Sequence, residues 1–550
     1  MTKITNSKVR FYLAILSIFA VSAAWAQDEE AAGYEYLNEL RTRAGMIPFL
    51  QNDNLQTAAA NHAQYLVGNS TSSLRYGGHF ENPGDPYFTG NQASDRTGAA
   101  DYLSTVVSEN VSTGQSDVFA SIDDLFSAIY HRFGFLSFSM DEVGLGFVKD
   151  SVIDYSAYTY NMGNTGLNDL CRGSSFTSTG NFFLNLCSHD SDFRISGTDK
   201  NAAEEQIEGQ NPFLVTWPDQ GDTDVPPAFF EESPDPLPDY SVSGYPISLQ
   251  FNPMVYTDVS VTSFRIFEDS SNREISNTRL LDRNTDPNMK FSGLEFALFP
   301  LERLDWQTVY RVEVKYDSNL ESDSLMWKFA TRNPGAPLFE YAGDGTTVEI
   351  PINAANDFIF YVPPDQNYPT IQNIGASFPA GLSVDVNFID GNTLSVRMVG
   401  SIGQQADFEM VGRSFSLRIG NQAEIPVVPE IDLTEDGVSG GGNEAVASFN
   451  ESTSILSIPL LVVDGELQVG VNLRLIDGNA LTFVVNDVIA ADETASDEAL
   501  FTSSSLELTI PKLSALGASF SVTMKLVDAE NLLFQITTAE VLAEQPQSQL

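Results

Sequence analysis

The sequence predicts an α+β protein, with a module of mixed helices and strands at the N-terminus and several all-β sandwich modules behind it. Three observations lead to this fold class. The chain of 550 residues is too long for a single hydrophobic core. Apolar residues recur at helical spacing only in about the first 165 residues. After about residue 210, short alternating apolar runs are separated by Asn, Asp, Gly and Pro, as in β-sandwiches.

The first 26 residues have the pattern of an export signal. Basic residues precede an apolar run from Phe11 to Ala24, and Ala24-Trp25-Ala26 has the small-x-small form of a signal-peptidase site. No later segment approaches the roughly 20 apolar residues that a helix needs to cross a bilayer. We therefore expect an exported protein that is not integral to the membrane once residues 1–26 are removed, and that resides in the periplasm, at the cell surface or outside the cell.

Apolar spacing and turn residues predict four helices and two strands in the N-terminal module. The predicted helices run from Tyr34 to Ala44, from Asn52 to Gly68, from about Ser94 to Val107, and from Val118 to His131; the predicted strands run from Val143 to Val148 and from Tyr155 to Met162.

The two cysteines, Cys171 and Cys187, lie near each other in the exported part of the chain, on either side of a stretch rich in Gly and Ser. An oxidising compartment is expected to join them in a disulfide. Two free buried thiols, or a metal pair near His189, are the alternatives.

Composition and repeats divide the rest of the chain. The C-terminal third contains an internal repeat, since Leu456-Ser457-Ile458-Pro459 returns as Leu508-Thr509-Ile510-Pro511 with an offset of 52, and later matches have an offset of 51. We interpret the repeats as spacers or adhesive modules. The predicted regions are a signal peptide at 1–26, the mixed module at 34–165, a Cys-bridged extension and linker at 166–210, a β-sandwich at 211–333, a β module at 338–430, and tandem β repeats at 440–550.

The charge restricts the partners. The net charge is −46, and −49 without the three basic residues of the leader. Nucleic acid and anionic lipid surfaces would repel such a chain, and no cluster of Lys or Arg offsets this. The acidic residues suit either a well-solvated surface in salty surroundings or sites for Ca²⁺ and other hard cations.

The chain has four histidines, and two of them are candidates for function. His189 is expected in a solvated loop, and His62 lies on the apolar stripe of the second helix, where a core histidine satisfied by a neighbour is expected. His79 lies in a Gly-rich turn and His131 at the end of the fourth predicted helix. Between them in sequence, Glu109 is predicted at the end of the third helix.

The order of these residues resembles the CAP superfamily of cysteine-rich secretory proteins, antigen 5 and plant pathogenesis-related proteins, especially its bacterial branch. The landmarks are Leu37-Asn38-Glu39-Leu40-Arg41, Leu55 with Ala59 and His62-Ala63, His79, Asp95-Arg96, Ser108-Glu109-Asn110-Val111, His131-Arg132, and Glu142-Val143-Gly144-Leu145-Gly146. The resemblance implies an α-β-α sandwich with a cleft that holds a divalent cation in several relatives. His79, Glu109 and His131 match the two histidines and the Glu of the family's Glu-Asn motif.

Two positions depart from the family pattern. Ala128 stands where many eukaryotic members have a second Glu, with Asp123 and Asp124 a turn earlier, and Leu125 replaces the usual Trp. The second module, residues 211–333, resembles bacterial Ig-like domains through Gly244-Tyr245-Pro246-Ile247-Ser248 and Trp327-Lys328-Phe329-Ala330-Thr331. We assign Asp95 and Arg96 to helix capping and local ion pairing.

Two imidazoles and one carboxylate suit a divalent cation such as Zn²⁺. The alternative is structural: His131 would stabilise a helix end and Glu109 would hold loop amides. We expect a protein whose cleft, around His79, Glu109 and His131, binds a small molecule, lipid or cation, while the β modules place it at an envelope or extracellular partner. The sequence lacks the His-Glu-x-x-His motif of zinc peptidases. A metal-assisted peptidase or other hydrolase, with Glu109 as its catalytic residue, and a structural adhesin with a vestigial cleft are the alternatives.

Overall fold

The computed structural model describes residues 29–542, except 231, 321, 351–357, 365–368, 372, 421–446, 451–454, 464–466, 478–480, 490–497, 516–517 and 529–531. The predicted signal peptide lies outside the described residues. Within the described part of the chain, no helix combines the length and the apolar character needed to cross a membrane.

The N-terminal domain contains five helices and four strands up to residue 163. In chain order they are α1 (29–43), β1 (Leu50–Gln51), α2 (Asp53–Gly68), α3 (Ala93–Ala99), β2 (Ser108–Thr113), α4 (Val118–Ser127), α5 (Ile129–Phe135), β3 (Glu142–Asp150) and β4 (Tyr155–Gly163). The predicted start of α2 is confirmed, because the Asn52 side chain accepts hydrogen bonds from Asn54 N and Leu55 N.

The four strands form one sheet in the order β1-β3-β4-β2, with helices on both faces. α2 lies directly on one face, where a Cβ atom added to Gly146 of β3 would come within 2.1 Å of Ala60 N. On the opposite face, Tyr160 of β4 is hydrogen-bonded to Ser121 of α4 at 2.9 Å. The expected α-β-α sandwich and the α+β class are confirmed.

Two predicted helices were wrong in their extent. The third ends at Ala99 rather than near Val107, because Asp101 adopts a left-handed backbone with φ of 65°. The following β-branched residues favour an extended chain, so Glu109 lies on strand β2 and not at a helix end. The fourth helix breaks at Ala128, whose ψ of 113° is extended, and His131 belongs to the separate short helix α5.

Residues 165–208 contain more regular structure than a linker. They form α6 (Thr165–Arg172), β5 (Phe182–Phe183), β6 (Ile195–Ser196) and α7 (Gly197–Glu208). The predicted disulfide is confirmed between Cys171 at the end of α6 and Cys187. Both cysteines are buried in a small core with Phe193 and Ile195.

Reducing this disulfide is expected to destabilise the extension by about 3 kcal/mol, because the bond joins cysteines with a sequence separation of 16 and so closes a loop in the unfolded chain. The replacement of both cysteines by serine should raise hydrogen-exchange rates in peptides from 165–208. Peptides from α2 and β3 serve as internal controls and should exchange as before. Equal protection in 165–208 with and without the disulfide would contradict the prediction.

From residue 214 to 419 the described chain consists of strands and connecting segments. The strands are β7 (Leu214–Trp217), β8 (Ile247–Phe251), β9 (Val259–Glu268), β10 (Arg273–Glu274), β11 (Thr278–Leu281), β12 (Glu295–Pro300), β13 (Val309–Ser318), β14 (Ser322–Ala330), β15 (Leu338–Glu340), β16 (Thr346–Ile350), β17 (Phe358–Tyr361), β18 (Ile374–Ser377), β19 (Ser383–Asp390), β20 (Thr393–Val399), β21 (Gln405–Met410) and β22 (Arg413–Ile419).

These strands form four sheets of four strands each. Their orders are β10-β9-β13-β14, β11-β12-β8-β7, β15-β17-β20-β19 and β16-β22-β21-β18. The described residues fall into two compact units, one drawn from 1–216, 249–258 and 439–550 and the other from 217–248 and 259–438.

The C-terminal strands form a single sheet of eight strands. They are β23 (Ala447–Asn450), β24 (Ile455–Val463), β25 (Leu467–Asp477), β26 (Thr482–Ile489), β27 (Ala499–Thr502), β28 (Glu507–Ala515), β29 (Ala518–Asp528) and β30 (Leu533–Val541). The order is β23-β24-β25-β26-β30-β29-β28-β27, and the additional pairings β23–β28 and β24–β27 close the sheet on itself.

Candidate functional site

The candidate site lies at the edge strand β2, whose residues Glu109 and Asn110 point to opposite faces of the sheet. Glu109 is opposite Asn161 and Asn110 is opposite Tyr160 in the pairing with β4. On the α2 side, Glu109 contacts His79. On the α5 side, Asn110 Nδ2 donates a hydrogen bond to the carbonyl oxygen of His131 at 2.8 Å. This strand therefore holds elements from both layers of the sandwich.

The structure brings the three predicted site residues together. His79 Nδ1 lies 3.1 Å from Glu109 Oε1, and the rings of His79 and His131 are 6.2 Å apart with an interplanar angle of 23°. Their exposure differs, because the side chain of Glu109 is 3% exposed whereas that of His79 is 40% exposed. The cleft thus presents imidazole to solvent and keeps the carboxylate beneath it.

Arg96, which the sequence assigned only to helix capping and local ion pairing, is the central residue of the site. Its side chain is fully buried, and its Nη2 donates to both Glu109 oxygens at 2.7 and 2.6 Å. Its Nη1 donates to the carbonyl oxygen of His79 at 3.0 Å. Asp95 caps α3 as expected by accepting from Gln92 N, but the ion pairs of Arg96 reach across the domain rather than staying local. The available indication in the sequence was the place of Asp95-Arg96 among the family landmarks, between His79 and Glu109.

Neighbouring donors engage both oxygens of the Glu109 carboxylate. Each oxygen accepts from Arg96, and Oε1 also contacts His79. The hydrogen-bonding partners of the Asn161 amide assign its nitrogen to Glu109 Oε2 at 3.1 Å and its oxygen to Ala59 N at 3.1 Å. A carboxylate offers about four lone-pair positions, so a metal ion could reach Glu109 only by displacing one of these donors.

A second buried pair supports the loop that carries His79. His62 Nδ1 lies 2.9 Å from Glu81 Oε1, and its Nε2 lies 2.9 Å from the carbonyl oxygen of Gly78. Glu81 also accepts from Thr89 N, so the two contacts of His62 fix its ring between a held carboxylate and the backbone of Gly78. His62 is a satisfied core histidine, as predicted, and it holds the backbone one residue before His79.

The surroundings of this network favour the ionised form of both buried carboxyl groups. Burial opposes ionisation of Glu109, but the hydrogen bond from His79 and the charges of His62 and Arg96 outweigh it and hold its pKa below the ordinary value. The pKa of Glu81 is lowered in the same way, against the effect of burial, by His62, the Thr89 amide and Arg96. Glu81 and Glu109 are therefore both held as carboxylates under the cleft, with Arg96 beside them.

The fourth position has no carboxylate equivalent to the family's second Glu. Ala128 is buried at the break between α4 and α5. Asp123 accepts a hydrogen bond from the Tyr36 hydroxyl at 2.6 Å. Burial raises the pKa of Asp124, and hydrogen bonds and the charge of His131 offset this only in part. Asp124 is therefore a carboxyl group that interacts electrostatically with His131.

Among the residues that the structure describes, no group of three or more His, Cys, Asp or Glu side chains is arranged to hold a metal ion. Glu109 does not fit as a metal ligand, because Arg96 supplies the positive charge that a cation would supply. The binding of a divalent cation by His79 and His131 stays a prediction. Chemically, the site offers one imidazole oriented by a carboxylate and a second imidazole beside it.

A comparison with protein families agrees with this fold. Residues 34–162 match the model of the CAP family, described as the cysteine-rich secretory protein family. No curated protein matched the chain. Among solved structures, an extracellular protein with an SCP domain from Bacillus anthracis is 17% identical with a TM-score of 0.22, and the match covers 30% of this chain and 44% of that protein.

Two further structures match a quarter of the chain each. An outer surface protein from Borrelia burgdorferi is 15% identical over 25% of this chain and 92% of its own, with a TM-score of 0.21. A cysteine-rich secretory protein from Staphylococcus aureus is 19% identical over 25% of this chain and 39% of its own, with a TM-score of 0.19. The chain thus spans less than half of the Bacillus and Staphylococcus proteins. With its α-β-α sandwich, its landmark residues and the family match in the same stretch, the chain carries a CAP domain of the cysteine-rich secretory protein family over residues 34–162.

Proposed function

We propose that this is an exported binding protein whose CAP cleft takes up a small polar ligand through the imidazoles of His79 and His131. The observation that carries the proposal is the complete occupancy of the Glu109 carboxylate by Arg96, His79 and Asn161. Glu109 acts as a positioning residue that orients His79, and the histidines contact the ligand.

The charge distribution favours binding of an uncharged or anionic polar group over binding of a cation at Glu109. The buried guanidinium of Arg96 lies directly behind the Glu109 carboxylate. A divalent ion at Glu109 would face this guanidinium in a region of low dielectric, where repulsion between like charges is strong. A phosphate, carboxylate or hydroxyl group avoids this repulsion and can accept hydrogen bonds from the imidazoles.

The remainder of the chain serves placement in this proposal. The leader would export the protein, and its strongly negative net charge keeps it soluble and apart from nucleic acid. The β modules would hold the CAP domain at an envelope or extracellular partner.

The binding proposal can be tested by NMR of the histidine rings, because the chain contains only four histidines. Inorganic phosphate, a short-chain phosphatidylcholine below its micelle concentration and Zn²⁺ are titrated separately into the full-length protein. We expect phosphate or the lipid headgroup to shift the ring resonances of His79 and His131 and to leave those of His62 and His189 in place, since His62 is buried and His189 lies in an exposed loop. His79→Ala and His131→Ala should each weaken the binding at least about tenfold, the equivalent of one charge-assisted hydrogen bond.

The outcomes separate the alternatives. Stoichiometric Zn²⁺ binding that is abolished by Glu109→Gln would contradict the proposal and support a metal site. No response of His79 and His131 to any of the three probes at millimolar concentration would favour the structural adhesin. A response of all four histidines would indicate general perturbation and would also count against the cleft.

Hydrolysis is the second candidate, and the contact between His79 and Glu109 favours it. A carboxylate hydrogen-bonded to Nδ1 holds a histidine in the tautomer whose Nε2 can act as a general base. In this scheme His79 would activate a water molecule, and Glu109 would only hold the ring of His79 in position. His79→Ala should then abolish hydrolysis of a peptide or ester substrate, whereas Glu109→Gln should lower kcat and leave a residual rate; full activity in His79→Ala would exclude the scheme.

A further inference from the structure

The eight strands after residue 446 form two halves with the same internal geometry. β27 to β30 repeat β23 to β26 in the same order along the chain. The β-bulges repeat as well: the one between Ile458 and Leu461 of β24 returns between Ile510 and Leu513 of β28. Each half is therefore a four-strand unit with the same pairing register.

The antiparallel seam between β26 and β30 is symmetric about one pair of equivalent residues. Phe483 is opposite Phe534, its counterpart in the second repeat. Val485 N donates to Leu532 O, and the equivalent Ile536 N donates to Leu481 O, at 3.3 and 3.1 Å. Each half thus offers the same strand to the other, as the two partners do in an isologous dimer.

The first strand of each half also pairs with a strand of the other half, and the two pairings are equivalent. β23 pairs in parallel with β28 through Ala447 opposite Leu513, and β27 pairs in parallel with β24 through Ala499 opposite Leu461. The sequence repeat exchanges these two pairs, since Ala499 is the counterpart of Ala447 and Leu513 is the counterpart of Leu461. The seams between the halves are consequently duplicated around an internal two-fold axis.

The core of this module is shared equally between the halves. Its buried residues form equivalent pairs, which are Ala447 and Ala499, Leu456 and Leu508, Ile458 and Ile510, Leu461 and Leu513, Val471 and Val522, Leu473 and Met524, and Phe483 and Phe534. A half without its partner would expose its share of this apolar surface and three unpaired strand segments. Its missing partner has one defined shape, which is the other half.

We propose that a second copy of this chain can supply that half, so that the protein forms dimers by reciprocal exchange of residues 499–542. Every backbone hydrogen bond and core contact between halves is the same whether the halves come from one chain or from two, and only the connection changes. Residues 490–498 join the end of β26 to the start of β27. Such a short connection gives the intramolecular seam an effective concentration of about millimolar, so the dimer is populated when chains refold together at concentrations that approach this value.

The test uses the full-length chain with a cysteine pair across the seam, Thr482→Cys with Gln535→Cys. These residues are opposite each other. The bond from Ile536 N to Leu481 O makes them a non-hydrogen-bonded pair, whose Cα atoms are about 4.5 Å apart and can form a disulfide. The natural cysteines are already joined to each other. The matched control is Thr509→Cys with Thr523→Cys, a pair between β28 and β29 inside one half.

Both variants are partly denatured and returned to native buffer at about 1 µM, far below the effective concentration of the seam, or at about 500 µM, which approaches it. They are then oxidised. We expect the seam variant to form an intramolecular disulfide at the low concentration and a covalent dimer at the high one, while the control forms only intramolecular disulfides. The wild-type protein, without added cysteines, should also dimerise when it is refolded at the high concentration, as measured by light scattering. When wild-type chains with a short and a long tag are refolded together, dimers that contain one chain of each length should form. The proposal would be overturned if the seam variant formed only intramolecular disulfides at both concentrations. It would also be overturned if the control formed as much covalent dimer as the seam variant.

Discussion

Replacing Arg96 with methionine should destabilise the CAP domain by about 3–5 kcal/mol, because it leaves two buried carboxylates without their shared cation. Glu81 and Glu109 are 0% and 3% exposed, and Arg96 lies between them. Methionine keeps most of the side-chain volume, so the loss is mainly electrostatic. The His79 loop also loses the hydrogen bond to its carbonyl oxygen, and the cleft should lose its order together with the stability.

Hydrogen exchange of peptides from α2, β3 and β4 in the full-length chain measures this free energy for the CAP domain alone. Arg172→Met is the matched control, since Arg172 and its partner Asp169 are 52% and 70% exposed; exposed pairs contribute about 0.5 kcal/mol or less. All tryptophans after the leader lie between 217 and 327, so unfolding followed by tryptophan fluorescence should be unchanged in both variants. If hydrogen exchange in Arg96→Met were as slow as in Arg172→Met, Arg96 would not stabilise the CAP domain as proposed.

Replacing Gly146 with alanine should cost more than about 3 kcal/mol, because its new methyl group would overlap backbone atoms that cannot move aside. The added Cβ would lie 2.1 Å from Ala60 N and 2.2 Å from the carbonyl carbon of Ala59. Both atoms belong to the middle of α2, so the helix would have to lift from the sheet. His62 on the same helix would then lose its contacts with Glu81 and Gly78.

Gly77→Ala is the control for this effect, because its nearest neighbour would be Thr113 Oγ1 at an ordinary distance of 3.7 Å. We expect hydrogen exchange in α2 and β3 to accelerate by at least about a hundredfold in Gly146→Ala, the equivalent of that free energy, and to stay unchanged in Gly77→Ala. The His62 ring resonance should shift only in the former. Protected α2 amides in Gly146→Ala would show that the sheet and helix can separate without cost.

Gly146 and Arg96 belong to one continuous series of contacts that runs from strand β3 to the cleft. The glycines of β3 bring α2 against the sheet, α2 brings His62 to Glu81, and Arg96 joins Glu81 to Glu109 under the cleft. His79 is therefore positioned by a chain of contacts that begins in the core. A change far from the cleft should alter ligand binding through the orientation of His79.

The fold of the N-terminal domain followed from local patterns in the sequence. The spacing of apolar residues in α2 and the Asn52 cap are local, and the structure reproduces them. The predicted extent of the third helix was wrong, because the helical spacing was continued through Asp101. The left-handed backbone of Asp101 does not allow the helix to continue. Glu109 was thus placed on the wrong type of element, although its position relative to His79 was right, because the family order of residues does not depend on the element assignment.

The sequence by itself determined the α+β class, the disulfide partners, the internal repeat and the three side chains of the cleft, because each rests on residue type, order or period along the chain. Only the tertiary structure decided that Arg96 occupies the Glu109 carboxylate, that His62 joins Glu81 to the backbone of Gly78, and that the two repeats close into one sheet around a two-fold axis. The physical reason is the same in each case. Burial and pairing join residues that are distant in sequence, and whether a carboxylate is open to a ligand or a strand edge is open to a partner depends on which groups folding brings beside it.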